Sequence, residues 1–118
     1  MRILAWNCRG AGRVLRVRTI SALSYSEGPD VLFLAEAKIA SPKLESLNRR
    51  LGFSRFFGVD CIGKAGGLAL FWKLGVDLEV IFSNNNVIAT LVYSGPPETT
   101  WLLIAIHGSP CLAKREKF

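Results

Sequence analysis

Long hydrophobic runs are missing from this 118-residue sequence: none approaches the ~18 residues that a membrane-crossing helix requires. The opening MRILAWNCRG also lacks the basic region, apolar stretch and small-residue cleavage site of a secretory signal, so the expectation is an intracellular chain with no membrane association. Cysteine is scarce. Cys8, Cys61 and Cys111 are odd in number, widely spaced and without a CxxC pair, which argues against a disulfide framework or a zinc site and leaves free buried thiols as the expectation. Charge is modest as well: a fifth of the residues are charged and half are hydrophobic, the balance of a folded domain and not of a disordered segment. At this length, one domain over residues 1–118 is expected.

The charge that is present lies to one side. Residues 1–59 hold ten Lys and Arg against four acids, whereas residues 60–118 hold five against five, so the net +6 comes entirely from the first half. Two readings fit this excess. It is either a solvated face or a surface for a polyanion, whose condensed counterions are released when Lys and Arg neutralise phosphates.

Hydrophobic periodicity divides the chain in two. Ile3–Trp6 reads as a strand. Val17, Ile20 and Leu23 recur at helical spacing within a helix from about Arg13 to Ser26, ended by Gly28-Pro29. The continuous apolar run DVLFLA, residues 30–35, implies a strand covered on both faces. Ser41-Pro42 opens a second helix, with Leu44, Leu47 and Leu51 on one face and Gly52 closing it. Beyond Gly52 come FSRFFGV, GLALFW, VDLEVIF, VIATLVY and WLLIAIH, separated by turn-forming stretches. In VDLEVIF the alternation places Val76, Leu78, Val80 and Phe82 on one face. Two helix-linked strands followed by hairpins predict an α+β or layered α/β domain: a mixed sheet with helices on one face.

Three of these strands end on polar residues. Ile3–Trp6 stops at Asn7, DVLFLA at Glu36-Ala37-Lys38, and WLLIAI at His107-Gly108-Ser109-Pro110. Ligands gather at strand ends in layered sheets, so Asn7, Glu36, Lys38 and His107 are candidates for one site. Each residue also has a plain structural reading: a turn asparagine, an ordinary loop, an exposed histidine.

The blocks WNCRGAG, PDVLFLAEAK and GGLALFWK, in that order over residues 6–73, resemble the opening half of the endonuclease/exonuclease/phosphatase superfamily, the fold of deoxyribonuclease I. They are most similar to endonuclease domains of plant LINE-type retrotransposons. The resemblance implies a partial four-layer α/β sandwich, the truncated half of a deoxyribonuclease-I-like fold, and an ancestral Mg²⁺- or Mn²⁺-dependent hydrolysis of DNA phosphodiesters.

At matching positions it implies that Glu36 holds the divalent metal, a hard ion that takes carboxylate oxygen and retained waters. Asn7 would orient the scissile phosphate or the attacking water through an amide that carries no repelling charge. Lys38 would steer phosphate. The basic excess of residues 1–59, with Arg9, Arg13, Arg16 and Lys38 expected around the strand ends, adds three or four phosphate contacts to nucleic acid. Gly66-Gly67 would form the tight lead-in to the central strand. His107 falls where relatives tend to carry a tyrosine near the phosphate, either as a replacement hydrogen-bonding group or as a decayed position. The family's Gly-Asp-Phe-Asn and Ser-Asp-His blocks, which supply the water-activating Asp and an Asp-His pair, do not occur in this sequence. The expectation is therefore the N-terminal portion of a retroelement-derived DNA endonuclease, inactive alone and intracellular, with the nucleus one candidate compartment. The alternatives are a non-catalytic nucleic-acid-binding remnant and an unrelated small α+β binding module. A half-domain would also leave a sheet face uncovered, with Phe71, Trp72, Phe82 and Trp101 exposed there and promoting self-association.

Overall fold

The computed structural model describes residues 1–7, 14–39, 41–60, 66–94 and 99–107. Strand β1 (Ile3–Asn7) is followed by helix α1 (Val14–Glu27), strand β2 (Val31–Ala35) and helix α2 (Ser41–Leu51). Five strands complete the chain: β3 (Arg55–Val59), β4 (Leu68–Trp72), β5 (Leu78–Ser83), β6 (Val87–Val92) and β7 (Trp101–Ile106). They form two sheets, one of four strands in the order β1-β2-β4-β3 and one of three in the order β5-β6-β7. β1 and β2 run parallel, as a strand pair joined through a helix can, and β4 runs antiparallel to both β2 and β3, so the first sheet is mixed.

The apolar run of DVLFLA has the predicted cause. Every residue of β2 and of β4 is buried, because the sheet is covered on both faces. On one face Leu32, Leu34, Ala69 and Phe71 meet Ile20 of α1 and Leu44 and Leu47 of α2. On the other, Val31, Phe33, Leu68, Leu70 and Trp72 meet Ile88 and the inward side chains of the second sheet. The result is helices over sheet over sheet, a partial version of the layered sandwich. Two glycines end the helices as expected: Gly28 at φ 56° and Gly52 at φ 78° take the left-handed conformation that closes a helix C-terminus. Their N–H groups donate to Ser24 O and Asn48 O.

Two expectations need correction. Phe71 and Trp72 are not on an uncovered face; they are 0% and 8% exposed, because the second sheet and the helices enclose β4 from both sides. Phe82 is 56% exposed as anticipated, but not on the face of Val76, Leu78 and Val80. A β-bulge between Val80 and Phe82 inserts one residue against β6, and the side-chain alternation inverts beyond it. Trp101 is half-buried, with its Nε1 donating to Ser94 O at 3.2 Å.

Candidate active site at the strand ends

Parallel pairing carries the C-terminal ends of β1 and β2 to the same edge of the sheet. Asn7 lies opposite Ala35 in the register, so Glu36 emerges beside the asparagine. β4 runs the other way, and its first residue, Leu68, also lies opposite Ala35. Gly66 and Gly67 therefore arrive at that edge too, at φ 84° and 88°, a conformation that glycine adopts without a Cβ penalty.

The segment after β2 is locally strained. Glu36 and Lys38 have φ of 52° and 49°, the only non-glycine residues with positive φ among those described. For residues with a Cβ this left-handed conformation costs roughly 1–2 kcal/mol each. The surroundings hold it in place from two sides. Ala37 N donates to Gly67 O at 2.9 Å and Lys38 N to Gly66 O at 3.3 Å. Ala37 and Ile39 are buried in the helix-side core, while Glu36 is half-buried and Lys38 exposed. The chain thus alternates between anchoring apolar residues and polar residues presented at the strand ends.

His107 reaches the same region from the second sheet. Its backbone N–H donates to Asn86 O at 2.8 Å, extending the β6–β7 ladder by one residue. Asn7 and His107 line one cavity of about 330 Å³ between the sheets, whose remaining walls are apolar side chains such as Ile3, Phe33, Leu70 and Leu103. Glu36 is not among the lining residues. The structure thus brings Asn7 and His107 to one cavity and sets Glu36 and Lys38 on the adjoining strand end. Arg9, Gly108-Ser109-Pro110 and the three cysteines lie outside the described residues, as does Arg13. The sequence reading had no signal for the strained backbone, since Glu-Ala-Lys contains none of the Gly, Asn or Asp that usually occupy the left-handed region.

Among the described residues no three His, Cys, Asp or Glu come together as a metal-binding group. The chemistry of the donors present is one carboxylate, Glu36, with the amide of Asn7 on the neighbouring strand. That set suits Mg²⁺, which is commonly held by one or two carboxylates plus waters and substrate phosphates, and does not suit an all-protein cage.

No protein-family profile and no curated protein sequence matches the chain. Solved structures do. An AP endonuclease, LMAP, from Leishmania major superposes with a TM-score of 0.68 at 19% identity, over 92% of this chain and 40% of that one. The Neisseria 3′ phosphatase NExo, bound to a product DNA hairpin, gives 0.66 at 20% identity over 99% and 48% of the two chains. TDP2 from Caenorhabditis elegans gives 0.64 at 18% identity over 97% and 37%. The fold is therefore the deoxyribonuclease-I-like endonuclease/exonuclease/phosphatase fold, in partial form. The chain spans less than half the length of each of these structures. No helix among the described residues is long and apolar enough to cross a membrane.

Proposed function

We propose that the chain is the N-terminal, phosphate-facing portion of a Mg²⁺-dependent DNA phosphodiesterase, derived from a LINE-type retroelement endonuclease and acting, in its complete form, on nuclear DNA. The observation that carries this reading is that Asn7 and His107 line one cavity while a strained Glu36–Lys38 backbone follows the strand that pairs with Asn7. Strain retained at a strand end fits a segment shaped for a task more demanding than turning the chain. Likeness in fold to an AP endonuclease and to a phosphatase bound to DNA supports the same class of substrate.

In this reading Glu36 holds the metal, with Mn²⁺ an alternative to Mg²⁺. The bound cation would polarise a phosphate oxygen and stabilise charge on the leaving group. Asn7 donates to a phosphate oxygen or accepts from a water without repelling the anion. Lys38, exposed on the same segment, adds a positive charge that draws the backbone phosphate. His107 holds a hydrogen-bonding group at the opposite wall of the cavity. A water-activating Asp and an Asp-His pair, which the resemblance implies, are not supplied by any Gly-Asp-Phe-Asn or Ser-Asp-His block. Hydrolysis by these 118 residues alone is therefore not expected.

Nicking of supercoiled plasmid with Mg²⁺ or Mn²⁺ tests this directly, and the expected result is background cleavage. Metal-dependent nicking that disappears in Glu36→Ala would overturn the inactivity and leave the site assignment standing. Binding tests the substrate class separately. Three or four phosphate contacts predict weak, sequence-independent affinity for duplex DNA whose log falls with log salt at a slope of about −3. Fluorescence anisotropy across a salt series reads that slope, and no binding at low salt would reject the DNA reading, including its non-catalytic remnant form. Besides DNA, a second copy of the chain is the partner proposed for the apolar outer face of the second sheet, which is uncovered among the described residues.

A further inference from the structure

We infer that Glu36 is the inserted residue of a β-bulge, and that Gly66 and Gly67, whose carbonyls close the bulge, are positioning residues for its carboxylate. This rests on the reading of Glu36 as the metal ligand and assigns the residues that set its place.

The register between β2 and β4 carries the first sign. Its last pair is Ala35 with Leu68, and an unbroken ladder would go on to set Glu36 opposite Gly67 and Ala37 opposite Gly66. The hydrogen bonds run one residue late instead. Ala37 N donates to Gly67 O at 2.9 Å and Lys38 N to Gly66 O at 3.3 Å. One residue on the β2 side is therefore extra, and it is Glu36. Its φ of 52° is the left-handed conformation that glycine usually supplies at the first position of a G1 bulge.

Burial gives the second sign, independently of the hydrogen bonds. Along β2, Val31, Phe33 and Ala35 face the second sheet, while Leu32 and Leu34 face the helices. Continued alternation would turn residue 36 to the helices and residue 37 away from them. Yet Ala37 and Ile39 lie in the helix-side core with Leu32, Leu34, Leu44 and Leu47. Ala37, 2% exposed, thus takes the place that a regular strand would give to Glu36. Without the offset a carboxylate would enter a cluster of leucines, where an unpaired charge is costly. With it, the small apolar residue goes inward and Glu36 stays half-buried at the strand end that Asn7 shares.

The bulge is held from the opposite strand. Positive φ at Glu36 and Lys38 is unfavourable locally, and nothing in Glu-Ala-Lys selects it. Gly66 and Gly67 can offer their carbonyls in the offset register because φ of 84° and 88° costs glycine little. A Cβ on Gly66 would meet nothing within 4 Å among the described residues, so alanine there acts through the backbone and not through a clash. Gly52 is a matched control: its φ is 78° and its Cβ position is equally open among the described residues, but it closes α2.

Mn²⁺ titrated into the ¹⁵N-labelled full chain tests the inference by NMR. Paramagnetic broadening locates the ion and gives its binding midpoint, while strong intraresidue amide–Hα NOEs report positive φ at residues 36 and 38. The expected result is broadening centred on the amides of Asn7 and Glu36 that Glu36→Gln removes. Gly66→Ala should lose the NOE signature and raise the Mn²⁺ midpoint about tenfold, the size of effect that partners of a metal ligand produce. Gly52→Ala should lower the urea midpoint comparably and leave both site readouts at their parent values. Gly66→Asn should restore them, because asparagine tolerates the left-handed region. A Gly66→Ala chain with the parent NOEs and midpoint would overturn the inference, as would an equal change in Gly52→Ala. A parent chain without the NOE signature at Glu36 would overturn it whatever the variants do. A parent in which Mn²⁺ broadens nothing near Glu36 would reject the metal reading; the NOEs then decide the clamp, their loss in Gly66→Ala supporting it and their persistence overturning it.

Discussion

The first sheet and the second are built from equally apolar strands but end in different physical states. β2 and β4 are enclosed by helices on one face and by the second sheet on the other, and no residue in either strand is exposed. β6 and β7 alternate, one face turned to the core and the other outward with no helix over it among the described residues. Burial in the first sheet therefore follows from two layers of neighbours, whereas hydrophobic residues such as Leu102 and Ile106 are exposed although their sequence resembles a core strand. Composition alone does not decide coverage; the number of layers does.

The same substitution in the two sheets tests this contrast most strongly. Phe71→Ala removes a fully buried ring in contact with Phe53 and Phe56, with centroids at 5.9 and 6.4 Å, and should cost about 3–5 kcal/mol. Phe82→Ala removes an exposed ring beyond the bulge and should cost less than about 1 kcal/mol. Urea denaturation followed by tryptophan fluorescence compares the two midpoints. Equal losses would mean that the outer face of the second sheet is covered in solution, and would break the comparison.

Much of the covered region was legible in the sequence. DVLFLA announced its double burial, and Leu44 and Leu47 lie on the buried face of α2, as their spacing required. The pairing of Asn7 with Ala35 follows from a strand-helix-strand order, because a helical crossover returns the chain in parallel. Other features were not legible. Phe71 and Trp72 looked like candidates for exposure because the sequence does not reveal that β5, β6 and β7 fold back over β4. Phe82 was assigned to the inner face because a bulge has no fixed signature among β-branched and aromatic residues. The left-handed backbone at Glu36 and Lys38 was hidden for a related reason: it is imposed by hydrogen bonds to Gly66 and Gly67, which lie about thirty residues further along the chain.

That imposed conformation gives the comparison its finest test, because only a well-packed sheet can hold strain at its margin. Lys38 is exposed, so replacing it removes little packing and isolates the backbone contribution. Glycine at this position loses the Cβ conflict of a φ near 49°, a relief of roughly 1–2 kcal/mol, but adds unfolded-state freedom worth roughly 0.5–1 kcal/mol against folding. Lys38→Gly should therefore stabilise the chain by up to about 1.5 kcal/mol. Lys38→Val, β-branched and poorly suited to positive φ, should destabilise it by about 1–2 kcal/mol. Urea midpoints at an unchanged m-value measure both. If the two variants are equally stable, residue 38 relaxes out of the left-handed region in solution. The hydrogen bonds from Ala37 and Lys38 to the glycine pair would then not be strong enough to hold the strand end in the shape proposed for phosphate and metal.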